Sequence, residues 1–91
     1  MANSKEDAVA KARKDLAHRL GVSDKDVSEH SVEETDFPDT ALGAGGEDEM
    51  SGQMITPGWR IRLKAKGQSY EYRADRNQLR LYDYKGKNHV I

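Results

Sequence analysis

The run Trp59-Arg60-Ile61-Arg62-Leu63-Lys64-Ala65-Lys66 constrains the fold more than any other stretch of the chain. Apolar and cationic residues alternate there with a strict period of two. Successive side chains of a strand point to opposite faces, so the pattern predicts a half-buried strand. The sequence then punctuates itself. Gly67-Gln68 reads as a turn, Tyr70-Glu71-Tyr72-Arg73-Ala74 as the returning strand, and Arg76-Asn77 as a second turn. Leu79-Arg80-Leu81-Tyr82-Asp83-Tyr84 is the next arm, and Lys85-Gly86-Lys87-Asn88 leads to a short apolar end, Val90-Ile91.

The N-terminal part carries the other clear period. Ser4 is a good helix N-cap with Asp7 three residues on, and Val9, Ala12, Leu16 and Leu20 recur at helical spacing. Asp7/Lys11 and Asp15/Arg19 are favourable pairs four residues apart, and Gly21 suits the left-handed residue that ends a helix. Ser23-Asp24-Lys25-Asp26 reads as one short capped turn. The expected architecture is α+β in one domain, residues 1–91. A helix over 5–20 packs on a four-stranded antiparallel sheet made of a first strand at 28–36 and a three-stranded meander at 58–84. Residues 38–57 form a long flexible loop before the second strand. The helix stripe is expected to meet Trp59, Ile61, Leu63, Tyr70, Tyr72, Leu79 and Leu81.

The loop follows from composition. Of 91 residues, 35% are hydrophobic and 34% charged, a lean supply for a core. Residues 43–49 hold no apolar side chain larger than alanine, too little to offset an ordering cost of roughly 1–2 kcal/mol per residue. The chain has no cysteine, which excludes disulfides, thiolate nucleophiles and cysteine-held metals. As written, the chain reads without a signal peptide or a transmembrane span, so the expected location is cytoplasmic, or secreted if the chain is a processed mature form.

The net charge of −1 hides a strong asymmetry. Residues 22–57 carry −9 and residues 58–91 carry +6. Arg60, Arg62, Lys64, Arg73, Arg80 and Tyr82 fall on one face of the predicted sheet, an arrangement that suits single-stranded nucleic acid. The favoured alternative is a solvated face whose bases pair with Glu71, Glu29 or Glu33. The acidic run Glu47-Asp48-Glu49 is a second candidate binding element, able to order against a basic surface. His18, His30 and His89 have no ligand spacing, and no nucleophile elbow, phosphate loop or calcium loop is present. The sequence therefore predicts no catalytic residues, no cofactor and no metal.

Three blocks resemble a small bacterial domain family without an assigned activity: Phe37-Pro38-Asp39-Thr40-Ala41-Leu42-Gly43, Gln53-Met54-Ile55-Thr56-Pro57-Gly58-Trp59-Arg60-Ile61, and Gly67-Gln68-Ser69-Tyr70-Glu71-Tyr72-Arg73. With Asp15-Leu16-Ala17-His18-Arg19-Leu20-Gly21-Val22 the likeness covers most of residues 8–82. The family often has Cys-Pro where this chain has Ala44-Gly45, and many of its members look secreted or lipid-anchored. More distantly, the element order and the stretch from Tyr70 to Asp75 are similar to PepSY domains, which implies regulation or inhibition of a peptidase. The resulting expectation is a small non-catalytic protein-binding or regulatory module, monomer or weak dimer, with a protein partner and no membrane. Nucleic-acid binding and peptidase inhibition stand behind it.

Overall fold

Helix α1 runs Lys5–Leu20, and the computed structural model describes residues 3–46 and 49–91. Ser4 and Asp7 form a reciprocal cap: the Asp7 amide donates to Ser4 Oγ at 3.1 Å, and the Ser4 amide donates to the Asp7 carboxylate at 3.2 Å. Gly21, at φ 67°, ends the helix. The buried face is Ala8, Ala12, Leu16 and Ala17, while Val9 and Leu20 are half-buried at its margin. The stripe is thus rotated from the one that the larger residues predict. Alanines sit at the contact because they let the helix axis approach the sheet closely.

Five strands follow: β1 Ser28–Phe37, β2 Thr56–Ala65, β3 Gln68–Ala74, β4 Leu79–Tyr84 and β5 Lys87–Val90. They pair antiparallel in chain order, β1-β2-β3-β4-β5. The expectation of four strands is corrected here. Lys85 and Gly86 both have positive φ, 54° and 79°, the geometry of a two-residue hairpin turn whose twist matches its strands. The chain therefore folds back at once, and Lys87–Val90 pairs with β4 as a fifth strand. Lys-Gly lacks the Asn-Gly signature, and β5 has a single strong apolar residue, Val90, so neither signal was strong in sequence. The same turn joins β2 to β3 at Lys66 and Gly67, φ 51° and 73°, one residue earlier than the sequence suggests. At the other end β2 starts two residues early and takes in Thr56 and Pro57, which the sequence assigns to the loop.

Ile61, Leu63, Ala65, Tyr72, Ala74, Leu79 and Leu81 form the buried side of the sheet beneath α1, with Trp59 and Tyr70 half-buried at its margin. The Tyr72 hydroxyl, deep under the helix, donates to Asp15 at 2.7 Å, which satisfies a polar group that burial would otherwise penalise. Asp15 also accepts from Arg19 at 2.7 Å.

The second face is not open either. Phe37 points away from the helix, and Phe37, Ala41, Leu42 and Ala44 are all buried outside the helix-side core. Residues 38–46 fold back over this face as a strap. Asp39 starts it by accepting from the amides of Ala41 and Gly43, both at 2.9 Å. The expected free loop is therefore tied down at several points. Thr40 and Gly52 exchange hydrogen bonds at 2.9 and 2.7 Å, and Asn88 donates to the Gly45 carbonyl at 3.0 Å.

Candidate binding surfaces

The six residues proposed for a basic platform do share the strap side of the sheet, but most are engaged within the molecule. Arg80 is 6% exposed. Its two terminal nitrogens donate to Glu49 at 2.5 and 2.6 Å, and its Nε donates to Gln78 at 2.7 Å. Arg73 donates to Glu71 at 2.8 Å and to the Leu42 carbonyl at 3.0 Å. Its guanidinium lies 3.7 Å from the centre of the Tyr82 ring and 5.5 Å from that of Phe37, so it is layered between two aromatic faces. Arg60 and Arg62 stand 3.5 and 3.6 Å from the same Glu71, and Arg62 is also 3.7 Å from Glu33. The Arg60 contact is one of charge only, since its Nε is buried without a hydrogen-bond partner among the described residues. Lys64 is exposed and has no ion pair among the described residues.

Two glycines make this layering possible. A methyl group at position 58 would stand 2.3 Å from the Ala74 carbonyl oxygen and 3.1 Å from the Phe37 ring. At Gly43, φ 64°, it would stand 2.8 Å from a terminal nitrogen of Arg73. The strap was legible in part: Phe37 precedes it, Ala41, Leu42 and Ala44 are the apolar residues of 38–46, and each block has its glycine. What the sequence does not show is that this loop returns to the basic face rather than leaving it bare.

Of the acidic run, Glu49 is tied to the end of the strap by accepting from the Gly46 amide at 3.0 Å, and Glu47 and Asp48 lie outside the described residues. The Arg80 guanidinium and the Gly46 amide hold the Glu49 carboxyl down at about 2, far below the ordinary carboxylate range. Of the predicted pairing partners, Glu71 and Glu33 meet arginines; Glu29 has no ion pair among the described residues and instead faces the helix beside Arg13 and Val9.

Two other surfaces stand out. A hollow of about 510 Å³ lies at the open end of the helix side, walled by Glu34, Asp36 and Trp59 on one flank and by Asp75 and Arg76 on the other. Glu34 pairs in register with Trp59 and Asp36 with Pro57, so both carboxylates share the indole's face of the sheet. A second groove, of about 700 Å³, lies where β4 bends at Asp83, φ 51°, between Tyr70, Tyr82, Tyr84, Arg19 and Lys85. Among the described residues no group of three or more histidines and carboxylates converges on one point. No described helix is long and apolar enough to cross a membrane.

A capped helix on a five-stranded meander, with a strap across the far face, defines an α+β domain of one layer of helix and one of sheet. The chain belongs to the domain family of unknown function DUF8738, whose model matches residues 9–82. The match takes in the strap, both glycine contacts and all six residues of the basic face. No curated protein and no solved structure matched the chain.

Proposed function

We propose that this domain is a small non-catalytic module that binds another protein, acting as a regulatory or adaptor element. One observation carries the reading: the cations that would make a nucleic-acid platform are layered and paired inside the fold, while the long acidic strand β1 stands free at the edge of the sheet. A platform for single strands needs exposed aromatic faces and unpaired cations, and here Tyr82 is covered by Arg73 and Arg80 is held by Glu49. The peptidase-inhibitor reading that goes with a PepSY likeness has no observation of this structure behind it.

A salt titration separates the two classes. The protein-binding reading expects no measurable affinity for single-stranded RNA or DNA at low salt. Affinity that falls steeply as salt rises would instead support the nucleic-acid reading. Crosslinking of the tagged domain in source lysate supplies the positive arm, and no crosslinked protein under any condition would sink the proposal. Sedimentation of the isolated chain is expected to give a monomer or weak dimer.

A further inference from the structure

Among the described residues the outer edge of β1 has no neighbouring strand, although its inner edge is paired with β2 from Ser28 to Phe37. A bulge interrupts the register between Glu29 and Ser31, and from there to Phe37 the pairing is continuous. This stretch is extended and offers a row of backbone groups along one side. Edge strands are guarded against indiscriminate pairing by short length, bulges and charges, and this one has the bulge and the charges. It is ten residues long, and its charges are all of one sign: Glu29, Glu33, Glu34 and Asp36, with no lysine or arginine. Among the described residues Glu33 has an ion pair, to Arg62 at 3.7 Å, whereas Glu29, Glu34 and Asp36 have none, although Arg13 lies beside Glu29 and Arg76 shares the hollow with the other two.

The layer above leaves one end of this strand bare. Helix α1 makes its main sheet contacts with β2 and β4, and although Glu29 and Val32 reach the helix-side layer, the Glu34–Asp36 end of β1 lies at its margin, with Trp59 half-buried beside it. Val32, Glu34 and Asp36 point to that side and Ser31, Glu33 and Thr35 to the other, since their β2 partners alternate in the same way. A strand laid along this edge would set one row of its side chains toward Glu34, Asp36 and the Trp59 hollow, and the other row toward Glu33. Carboxylates and an indole face both favour cations. The far wall of the hollow adds a third carboxylate, Asp75, against one cation, Arg76.

We propose that the outer edge of β1 is a docking strip for an extended, lysine- and arginine-rich segment of a partner protein, added as a sixth strand with a cationic side chain in the Trp59 hollow. This rests on the protein-binding reading above and names its surface and partner chemistry. Charge complementarity selects that occupant over a second copy of the chain. Two β1 edges would set acid against acid, and β5, with four residues, is too short to cover the strip.

The test uses the full chain, nitrogen-15 labelled, and a synthetic peptide of alternating valine with lysine or arginine. The expected result is amide shifts and slowed exchange along β1, a shift of the Trp59 indole, and affinity that drops at least about tenfold between 0.05 and 0.5 M salt. The pair Glu34→Lys and Asp36→Lys should weaken binding about tenfold or more, and the isosteric pair Glu34→Gln and Asp36→Gln should weaken it in the same direction with an unchanged melting curve. Shifts confined to the strap or the tyrosine groove, equal binding of a valine–glutamate peptide, no response at millimolar peptide, or a dimer joined through β1 would each overturn the proposal. A lysate partner that still crosslinks to the Lys pair would overturn the edge assignment alone and leave the protein-binding reading standing.

Discussion

Glu49 sets both carboxylate oxygens against the two terminal nitrogens of Arg80, a residue 31 positions away, and so fastens the strap to the fourth strand. The guanidinium is nearly out of solvent while the carboxylate side chain keeps 32% of its exposure. Losing the acid therefore strands a cation that has few other partners. Glu49→Ala is expected to destabilise the domain by about 1 kcal/mol, toward the low end for a charged hydrogen bond because solvent screens one side of the pair. Urea melts of parent and variant measure it, and equal midpoints would show the strap to be energetically idle.

The same pair predicts a pH dependence. The Glu49 carboxyl sits at about 2 when folded, below its ordinary value of 4.5. The unfolded chain binds the proton more readily, so the pair's contribution is whole above pH 4.5 and is lost as pH falls through about 2. A carbon-detected titration should place the Glu49 midpoint near 2. A midpoint near 4.5 would mean that the ion pair is not held in solution.

Tyr72 predicts the opposite limb. Burial first, and then the Asp15 carboxylate that accepts its proton, push its hydroxyl well above the usual tyrosine range. The folded state then keeps a proton that the unfolded state releases above about pH 10, so stability falls as pH rises beyond that point. The phenolate absorbance of Tyr72 should appear only with unfolding. Tyr72→Phe, with Asp15 left to solvent and Arg19, should cost about 1 kcal/mol.

Gly58→Ala tests the close approach of β2 to the Ala74 carbonyl of β3, beneath the Phe37 ring. The new methyl would meet a backbone carbonyl at 2.3 Å, which no rotamer can relieve. A loss of about 1–3 kcal/mol or more is expected, with the strap rather than the helix disturbed in amide spectra. Leu16→Ala, at the centre of the opposite layer, should cost about 2–5 kcal/mol. A Gly58→Ala variant as stable as the parent would show that β2 does not come so close to the Ala74 carbonyl at this position.

Turn chemistry offers a gain. Lys66 and Lys85 hold positive φ without being glycine or asparagine. Lys66→Asn should stabilise the β2–β3 hairpin by about 0.5 kcal/mol, because asparagine tolerates the left-handed region at lower strain. Lys85→Asn is the less clean probe, since Lys85 also lies 5.4 Å from the Tyr84 ring. A lowered melting temperature for Lys66→Asn would contradict the turn assignment.

The alternation of residues 59–66 and the cap at Ser4 were legible because each is a local signal with its own period. β5 was not, since four residues with one apolar side chain carry almost no pattern and the turn before it lacks its usual asparagine. The strap escaped for a different reason. Alternation places Arg73 and Arg80 on the face away from the helix, but it cannot say whether that face meets water. Phe37 and Leu42 reverse the environment of those arginines, and their effect depends on contacts 31 or more positions apart. Glu71 illustrates the limit well. The sequence names it as a partner for the bases, and only the register shows that Arg60, Arg62 and Arg73 all converge on it.

The strictly sequential order of the sheet also sets how the chain can assemble. β2 to β5 are linked by short turns, so each pairing closes a small loop at little entropic cost. β1 alone must cross residues 38–55 before it finds β2. The hairpins of the last third should therefore be formed early in the folding transition state and β1 late, giving φ-values near the upper range for Leu63 and Leu81 and near zero for Val32. Comparable φ-values at all three sites would mean instead that the strap closes with the hairpins. Late arrival leaves the first strand as the part of the sheet that opens most readily, and amide exchange should register it there before the hairpins yield.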